Sequence, residues 1–229
     1  QVNLTGAGHS TAVLRAAAYS SPMAAFQDEM AGIGYYQFIE KLEKDFEQRK
    51  EETVEELCKL MKKILRPENF MISYTGERES LETVQKLAKA VKAGLGTEPV
   101  ERSEEKLTCT KKNEGFKTSG QVQYVAQTGN FKKKGLEYTG ALEILKVILS
   151  YDYLWQNVRV KGGAYGCMSN FTRIGDGYFV SYRDPNLEKT NEIYEGVAEY
   201  LRQFSVGERD MTKYIIGTIS NIDQPMTPA

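Results

Sequence analysis

Apolar residues recur at helical spacing in several stretches of the first 94 residues. Ser21-Pro22 predicts a helix start, because serine caps free backbone N–H groups and proline fits the first helical position. Between the later helical stretches, residues 70–74 read Phe-Met-Ile-Ser-Tyr and are predicted to form a short buried strand. Helices with one apolar face are predicted at residues 33–44, 51–65 and 81–93.

The second half follows residues 97–120, a polar stretch that predicts an exposed linker or hairpin. Residues 121–127 alternate apolar and polar, which predicts a strand with Val122, Tyr124 and Ala126 on its inner face. Residues 138–158 are nearly all apolar and predict a long buried helix. Two strands joined by a glycine-containing hairpin turn follow at residues 164–171 and 177–182. Two amphipathic helices then run to about residue 222.

This order of elements predicts an α+β fold, with an antiparallel-rich sheet and helices packed on one face. We predict an N-terminal helical segment at residues 1–66 and an α+β domain at residues 67–229. A chain of 229 residues is long enough for one large domain with an appended helical region. It begins at Gln1 rather than methionine and stops soon after a helical pattern, so we expect a piece of a longer polypeptide.

Composition narrows the classes of partner. The chain carries 30 basic and 31 acidic side chains. It therefore lacks the excess positive charge that usually neutralises phosphates, and nucleic acid is not an expected partner. No apolar run approaches the roughly 20 residues that cross a bilayer, and the N-terminus has no secretion-signal pattern. We expect no membrane partner and a location in a bacterial cytoplasm or an organelle matrix.

The cysteines and the histidine limit the chemistry of this chain. Cys58, Cys109 and Cys167 are odd in number and far apart in sequence, which favours neither a disulfide framework nor a zinc ribbon. His9 is the only histidine, so HExxH, HxxEH and other multi-histidine zinc motifs are excluded within this sequence. We interpret His9 as a structural or solvated residue. No catalytic zinc ligand or general base is predicted in this chain.

The remaining candidate chemistry lies in V-R-V-K-G-G-A-Y-G at residues 158–166. Phosphate-binding loops leave a strand and enter a helix, whereas this stretch leaves a helix and enters a strand, so a nucleotide site has weak support. The stretch resembles the (L/V)R-x-K-G-G-A-Y-G signature of presequence-protease-type peptidases in the pitrilysin/insulinase superfamily. The resemblance spans essentially the whole chain, with further matches at residues 69–76, 177–179, 181–186 and 214–220.

The resemblance implies an activity and two site residues. Family members are clamshells of four related domains, with the HxxEH zinc motif in the first, and this chain resembles the last. That implies the C-terminal, non-zinc-binding part of a zinc metalloendopeptidase that degrades unstructured peptides. Zinc would be the cofactor of the full-length enzyme, and this piece would bind none and be inactive alone. Arg159 and Tyr165 match the family positions that reach the substrate, so both are predicted substrate-binding residues.

The implied partners are a peptide substrate and the N-terminal zinc-binding domains of the same polypeptide. A phenol O–H and a guanidinium suit an enzyme, because both can donate to the negative charge that develops on a peptide carbonyl during hydrolysis. Both residues also have a structural interpretation, Arg159 as a partner of helix C-terminal carbonyls and Tyr165 as a half-buried strand residue. The alternative function is a non-catalytic peptide-binding or assembly module, since the superfamily includes inactive members.

Overall fold

The computed structural model describes residues 4, 6–100 and 109–223. The chain forms two compact units, one combining Gln1–Phe38 with Leu107–Ala229 and the other consisting of Ile39–Lys106. These limits differ from the predicted segments 1–66 and 67–229, which remain a prediction. In the part of the chain that the structure describes, no helix is long and apolar enough to cross a membrane.

Three helices occupy the N-terminal region: α1 (Gly8–Ala18), α2 (Pro22–Ala31) and α3 (Ile33–Lys44). The start of α2 confirms the predicted cap, because the Ser21 side chain accepts a hydrogen bond from the N–H of Ala24. The range of α3 is also the predicted one. The sequence pattern did not predict α1.

The unit Ile39–Lys106 contains α4 (Phe46–Ile64) and α5 (Leu81–Ala93), and both confirm predicted helices. Neither helix buries a residue, so apolar side chains such as Leu57 and Leu87 are exposed. The predicted buried strand at residues 70–74 is wrong, because these residues have no regular structure and Met71 is 89% exposed. A strand needs a neighbour for its backbone hydrogen bonds. None of the described residues pairs with this segment.

The described strands form one antiparallel sheet in the order β1-β3-β2. They are β1 (Ala126–Asn130), β2 (Gly166–Phe171) and β3 (Asp176–Tyr182). The last two form the predicted hairpin, in which Gly175 adopts a φ of +99° that side chains with a Cβ rarely permit. In the register of the sheet, Gly166 pairs with Tyr182. The predicted α+β class with an antiparallel sheet is confirmed.

The first strand departs from its prediction in position and in facing. It begins at Ala126, and the preceding chain meets the end of β3 only through a bridge between Gln123 and Asp184. Val125 is buried while Val122 is 40% exposed, so the predicted inner face of Val122, Tyr124 and Ala126 is wrong. The facing is fixed by Ser181, whose hydroxyl accepts a hydrogen bond from the N–H of Val125. A shift of one residue moves every side chain to the other face.

The predicted long helix is present and changes its winding along its length. It begins as α6 (Ala141–Ile148) and continues in π-helical turns at Leu149–Tyr153 and Trp155–Lys161. Leu149, Leu154 and Val158 are fully buried in the main core. The chain ends in the helices α7 (Glu188–Glu195), α8 (Val197–Gln203) and α9 (Glu208–Ile222).

The sheet is covered from both sides. The long helix and α7 pack with Cys167 and Phe179 in the main core. Neighbouring side chains of a strand point to opposite faces, and on the side opposite Ser181 the ring of Tyr182 contacts His9 of α1. The helix α1 therefore adds a second layer to the predicted helical layer.

The predicted linker or hairpin at residues 97–120 is described from residue 109 onward, and residues 101–108 lie outside the described residues. Residues 109–120 have no strand or helix. The carboxylate of Glu114 accepts hydrogen bonds from Arg15, at 2.8 Å, and from Tyr19. Hydrogen bonds from Arg15 hold the pKa of Glu114 at about 2. This stretch is thus attached to α1 by an ion pair.

Candidate functional site

Arg159 lies in the last π-helical turn of the long helix, on the side of Trp155. Its guanidinium carbon is 3.9 Å from the centroid of the Trp155 ring. A guanidinium stacked on an indole gains cation–π attraction and keeps its N–H groups directed sideways, where they can still donate. The four-residue spacing of these two residues on a predicted helix was a sequence signal for this pair.

Two glycines end the long helix and turn the chain into β2. A Cβ on Gly162 would lie 2.4 Å from the carbonyl oxygen of Val158, so no larger residue fits without moving the backbone. Gly163 has a φ of +81°, in the left-handed region that glycine adopts readily. The N–H of Gly163 donates to the carbonyl of Arg159 at 2.9 Å. This turn determines how the chain leaves Arg159.

Tyr165 follows the turn, directly before β2, and its side chain is 68% exposed. Its ring makes an edge-to-face contact with Tyr182, with centroids 5.8 Å apart. Its N–H donates to the carbonyl of Tyr182 at 3.0 Å and to that of Arg183 at 3.3 Å. The backbone and ring are thus held while the side chain stays open to solvent.

Arg159 and Tyr165 lie at the two ends of the same glycine turn, and each has its own aromatic neighbour. The structural interpretation of Tyr165 as half-buried does not fit its exposure. The convergence of both side chains on one substrate remains a prediction.

Tyr182 joins Tyr165 to a cluster of rings that the sequence did not indicate. The ring of Tyr124 lies 5.7 Å from that of Tyr182, and the ring of His9 lies 5.1 Å from it. The Nδ1 atom of His9 is buried without a hydrogen-bond partner. This packing agrees with a structural interpretation of His9. These contacts join residues far apart in sequence, so no local pattern could have revealed them.

Arg183 follows β3 and has a φ of +50°, the one positive value among described residues other than glycine. Its guanidinium carbon lies 5.5 Å from the centroid of the Tyr182 ring. The left-handed conformation costs a residue with a Cβ about 1–2 kcal/mol. Local strain of this kind is often found at functional sites.

We expect Arg183→Gly to unfold with a free energy about 1 kcal/mol higher than Arg183→Ala, because only glycine relieves the strained backbone. Chemical unfolding of both variants measures the difference. Arg173 is the matched control, since it is exposed, lies 5.9 Å from the Tyr138 ring and has no positive φ. There the alanine variant should be the more stable, because glycine gains more entropy on unfolding. The same order at both positions would contradict backbone strain at Arg183.

The residues of this chain do not fit a zinc site. In the described ranges, no group of three histidine, cysteine, aspartate or glutamate side chains could hold a metal ion. The cysteines are free, and burial raises the pKa of the Cys167 thiol to about 11. A protonated thiol is a poor nucleophile and a poor ligand. The site therefore offers hydrogen-bond donors and aromatic rings.

Comparison with sequence families gives two matches. The family described as the PreP C-terminal domain matches residues 113–229. A second family, described as peptidase-associated, matches residues 1–42. The first match includes the long helix, the glycine turn and the whole sheet.

Three curated relatives show how much of a longer protein this chain resembles. It is 44% identical to Protein HypA of Clostridium perfringens over 96% of this chain and 22% of that protein. It is 33% identical to presequence protease 1, chloroplastic/mitochondrial, of Arabidopsis thaliana over 98% of this chain and 21% of that protein. It is 26% identical to the mitochondrial presequence protease of Saccharomyces cerevisiae over 99% and 24%. The chain spans between a fifth and a quarter of these relatives.

Proposed function

The chain belongs to the family of the PreP C-terminal domain, and from this membership we propose that it is the C-terminal, non-zinc-binding part of a longer zinc endopeptidase. The enzyme would degrade unstructured peptides in a bacterial cytoplasm or an organelle matrix. Two of the relatives described above are named presequence proteases, which supports a peptidase. Their much greater length supports a polypeptide in which other domains complete the enzyme.

The observation that carries the proposal is the exposed Tyr165 side chain on a fixed turn. Hydrolysis of a peptide bond develops negative charge on the carbonyl oxygen, and a donor that is already positioned stabilises that charge without reorganisation. The contacts of Tyr165 with Tyr182 and Arg183 provide such positioning. Arg159, stacked on Trp155, would add a charged donor to the same substrate or to an adjacent carbonyl.

Zinc and the general base would come from the N-terminal zinc-binding domains of the same polypeptide. His9, the only histidine, is occupied by its packing against aromatic rings. The part played by this chain is therefore to bind the peptide and to place donors near the scissile carbonyl.

We expect the full-length protein to contain zinc and to cleave an unstructured peptide, whereas the isolated 229-residue chain does neither. The reason is that the chain lacks a ligand set for zinc and a base for water. Metal analysis and a fluorogenic peptide assay on both proteins provide the measurement. Stoichiometric zinc or peptide cleavage by the isolated chain would contradict the proposed division of roles.

The same assays separate the enzyme from the alternative, a non-catalytic peptide-binding or assembly module. A full-length protein that binds a labelled peptide but leaves it intact, at saturating zinc, would support the module. An HxxEH motif encoded upstream of Gln1, with a more distant glutamate, would support the enzyme.

A further inference from the structure

The turn Asp184-Pro185-Asn186, between β3 and α7, is tied to the protein by a buried carboxylate. Asp184 is 0% exposed. Its Oδ1 accepts a hydrogen bond from the N–H of Asn186, and its Oδ2 accepts one from the Thr190 hydroxyl, each at 2.8 Å. Its backbone N–H and carbonyl both pair with Gln123 at 2.9 Å. The position of this turn is therefore fixed from the sheet and from α7.

From this fixed turn, the Asn186 side chain reaches the glycine turn of the candidate site. Its Nδ2 donates to the carbonyl of Gly162 at 2.6 Å, a short distance for an N–H···O hydrogen bond. Carbonyls at a helix C-terminus lack partners within the helix, so this amide satisfies one of them. Pro185 lies beside Gly163, where an added Cβ would be 3.6 Å from its Cγ.

The chain between Arg159 and Tyr165 is thus held at both of its ends by one short segment. Asn186 holds the carbonyl of Gly162, while the carbonyls of Tyr182 and Arg183 hold the N–H of Tyr165. The rigid element that supplies these contacts includes the strained Arg183. Displacement of reacting groups by about 1 Å can cost an enzyme 10²-fold in rate.

We propose that Asn186, anchored by Asp184, is a positioning residue that sets the orientation of Arg159 and Tyr165 toward the peptide. The proposal rests on the proposed peptidase function. Asn186 itself would not touch the substrate. Its effect on catalysis would pass through the Gly162 carbonyl and the turn that follows it.

The test is Asn186→Asp in the full-length protein, which keeps the size of the side chain and removes the donor to Gly162. We expect kcat to fall by about 10- to 100-fold with KM within about twofold, because positioning affects the reacting geometry more than the binding of a long peptide. Asn191→Asp is the matched control, since its Nδ2 donates to a backbone carbonyl at 3.2 Å within α7, away from the turn. That variant should retain wild-type kcat.

A double-mutant cycle separates positioning from general structure. In the Tyr165→Phe background, Asn186→Asp should lower kcat much less than in wild type, because the hydroxyl to be positioned is already absent. An equal fall in both backgrounds would overturn the proposal, as would wild-type kcat for Asn186→Asp. Asn186→Ser provides a second, uncharged variant. Loss of folding by both Asn186 variants, measured by thermal unfolding, would assign the residue a structural role only and so overturn the proposal.

Failure of the proposed function gives a different result. A full-length protein without peptidase activity, or one in which Tyr165→Phe keeps wild-type kcat, would refute the function of the site. A protein impaired by Tyr165→Phe but unaffected by Asn186→Asp would refute only the role of Asn186.

Discussion

Tyr165→Phe in the full-length protein is expected to lower kcat by about 10²- to 10³-fold, as measured for the loss of one preorganised donor to a developing oxyanion. The substitution removes one oxygen from a side chain that is 68% exposed. Surface substitutions of this kind usually change stability by less than about 0.5 kcal/mol. The loss of turnover should therefore occur with unchanged thermal unfolding and unchanged zinc content.

Tyr151→Phe is the matched control for this experiment. Tyr151 is 64% exposed and lies in the first π-helical turn of the same long helix, away from the glycine turn. Its variant should retain wild-type kcat. Equal activity of the two variants would leave Tyr165 with no role in turnover.

Gly162→Ala is expected to impair both stability and turnover. The added Cβ would lie 2.4 Å from the carbonyl oxygen of Val158 and 2.9 Å from that of Asn157. Both atoms belong to the backbone, so the turn itself must move. Overpacking of this kind costs about 1–3 kcal/mol, and the moved turn carries Arg159 and Tyr165 with it. We expect at least about a 10²-fold loss of kcat in the fraction that remains folded.

The control for Gly162→Ala lies at the other end of the same helix. Gly140 immediately precedes α6, has a φ of −59° and has no atom within 4 Å of an added Cβ. Gly140→Ala should keep wild-type stability and turnover, as measured by chemical unfolding and the peptide assay. Comparable losses at the two positions would show that helix-end glycines matter in general, rather than the close approach at Gly162.

The helices were the most predictable part of the fold, because their apolar spacing is a local property. The range of α3 matched its prediction, and the long helix was found where the apolar run indicated. The facing of Val125 was not predictable, because the Ser181 hydroxyl that sets it lies 56 residues away in sequence. The apolar run at residues 70–74 has the composition of a strand, but no described residue pairs with it.

The site was predictable only to the extent that a motif resembled a known family. The spacing of Arg159 and Tyr165 around two glycines located the turn, and the structure shows that turn to require Gly162. The residues that hold the turn come from other elements. The contact of Asn186 with Gly162 joins positions 24 residues apart, and no periodic pattern reports a contact of that kind.

The π-helical winding before the glycine turn has a consequence for how this segment can evolve. A π-helical turn accommodates more residues than an α-helical turn, and each residue of an α-helix rotates the next by about 100°. Deletion of one residue between Ile148 and Arg159 could be absorbed by rewinding to an α-helix, with the core largely intact. The phase of everything downstream would still change, and Arg159 would leave the ring of Trp155. The segment should therefore tolerate exchanges of residue type far better than insertions or deletions.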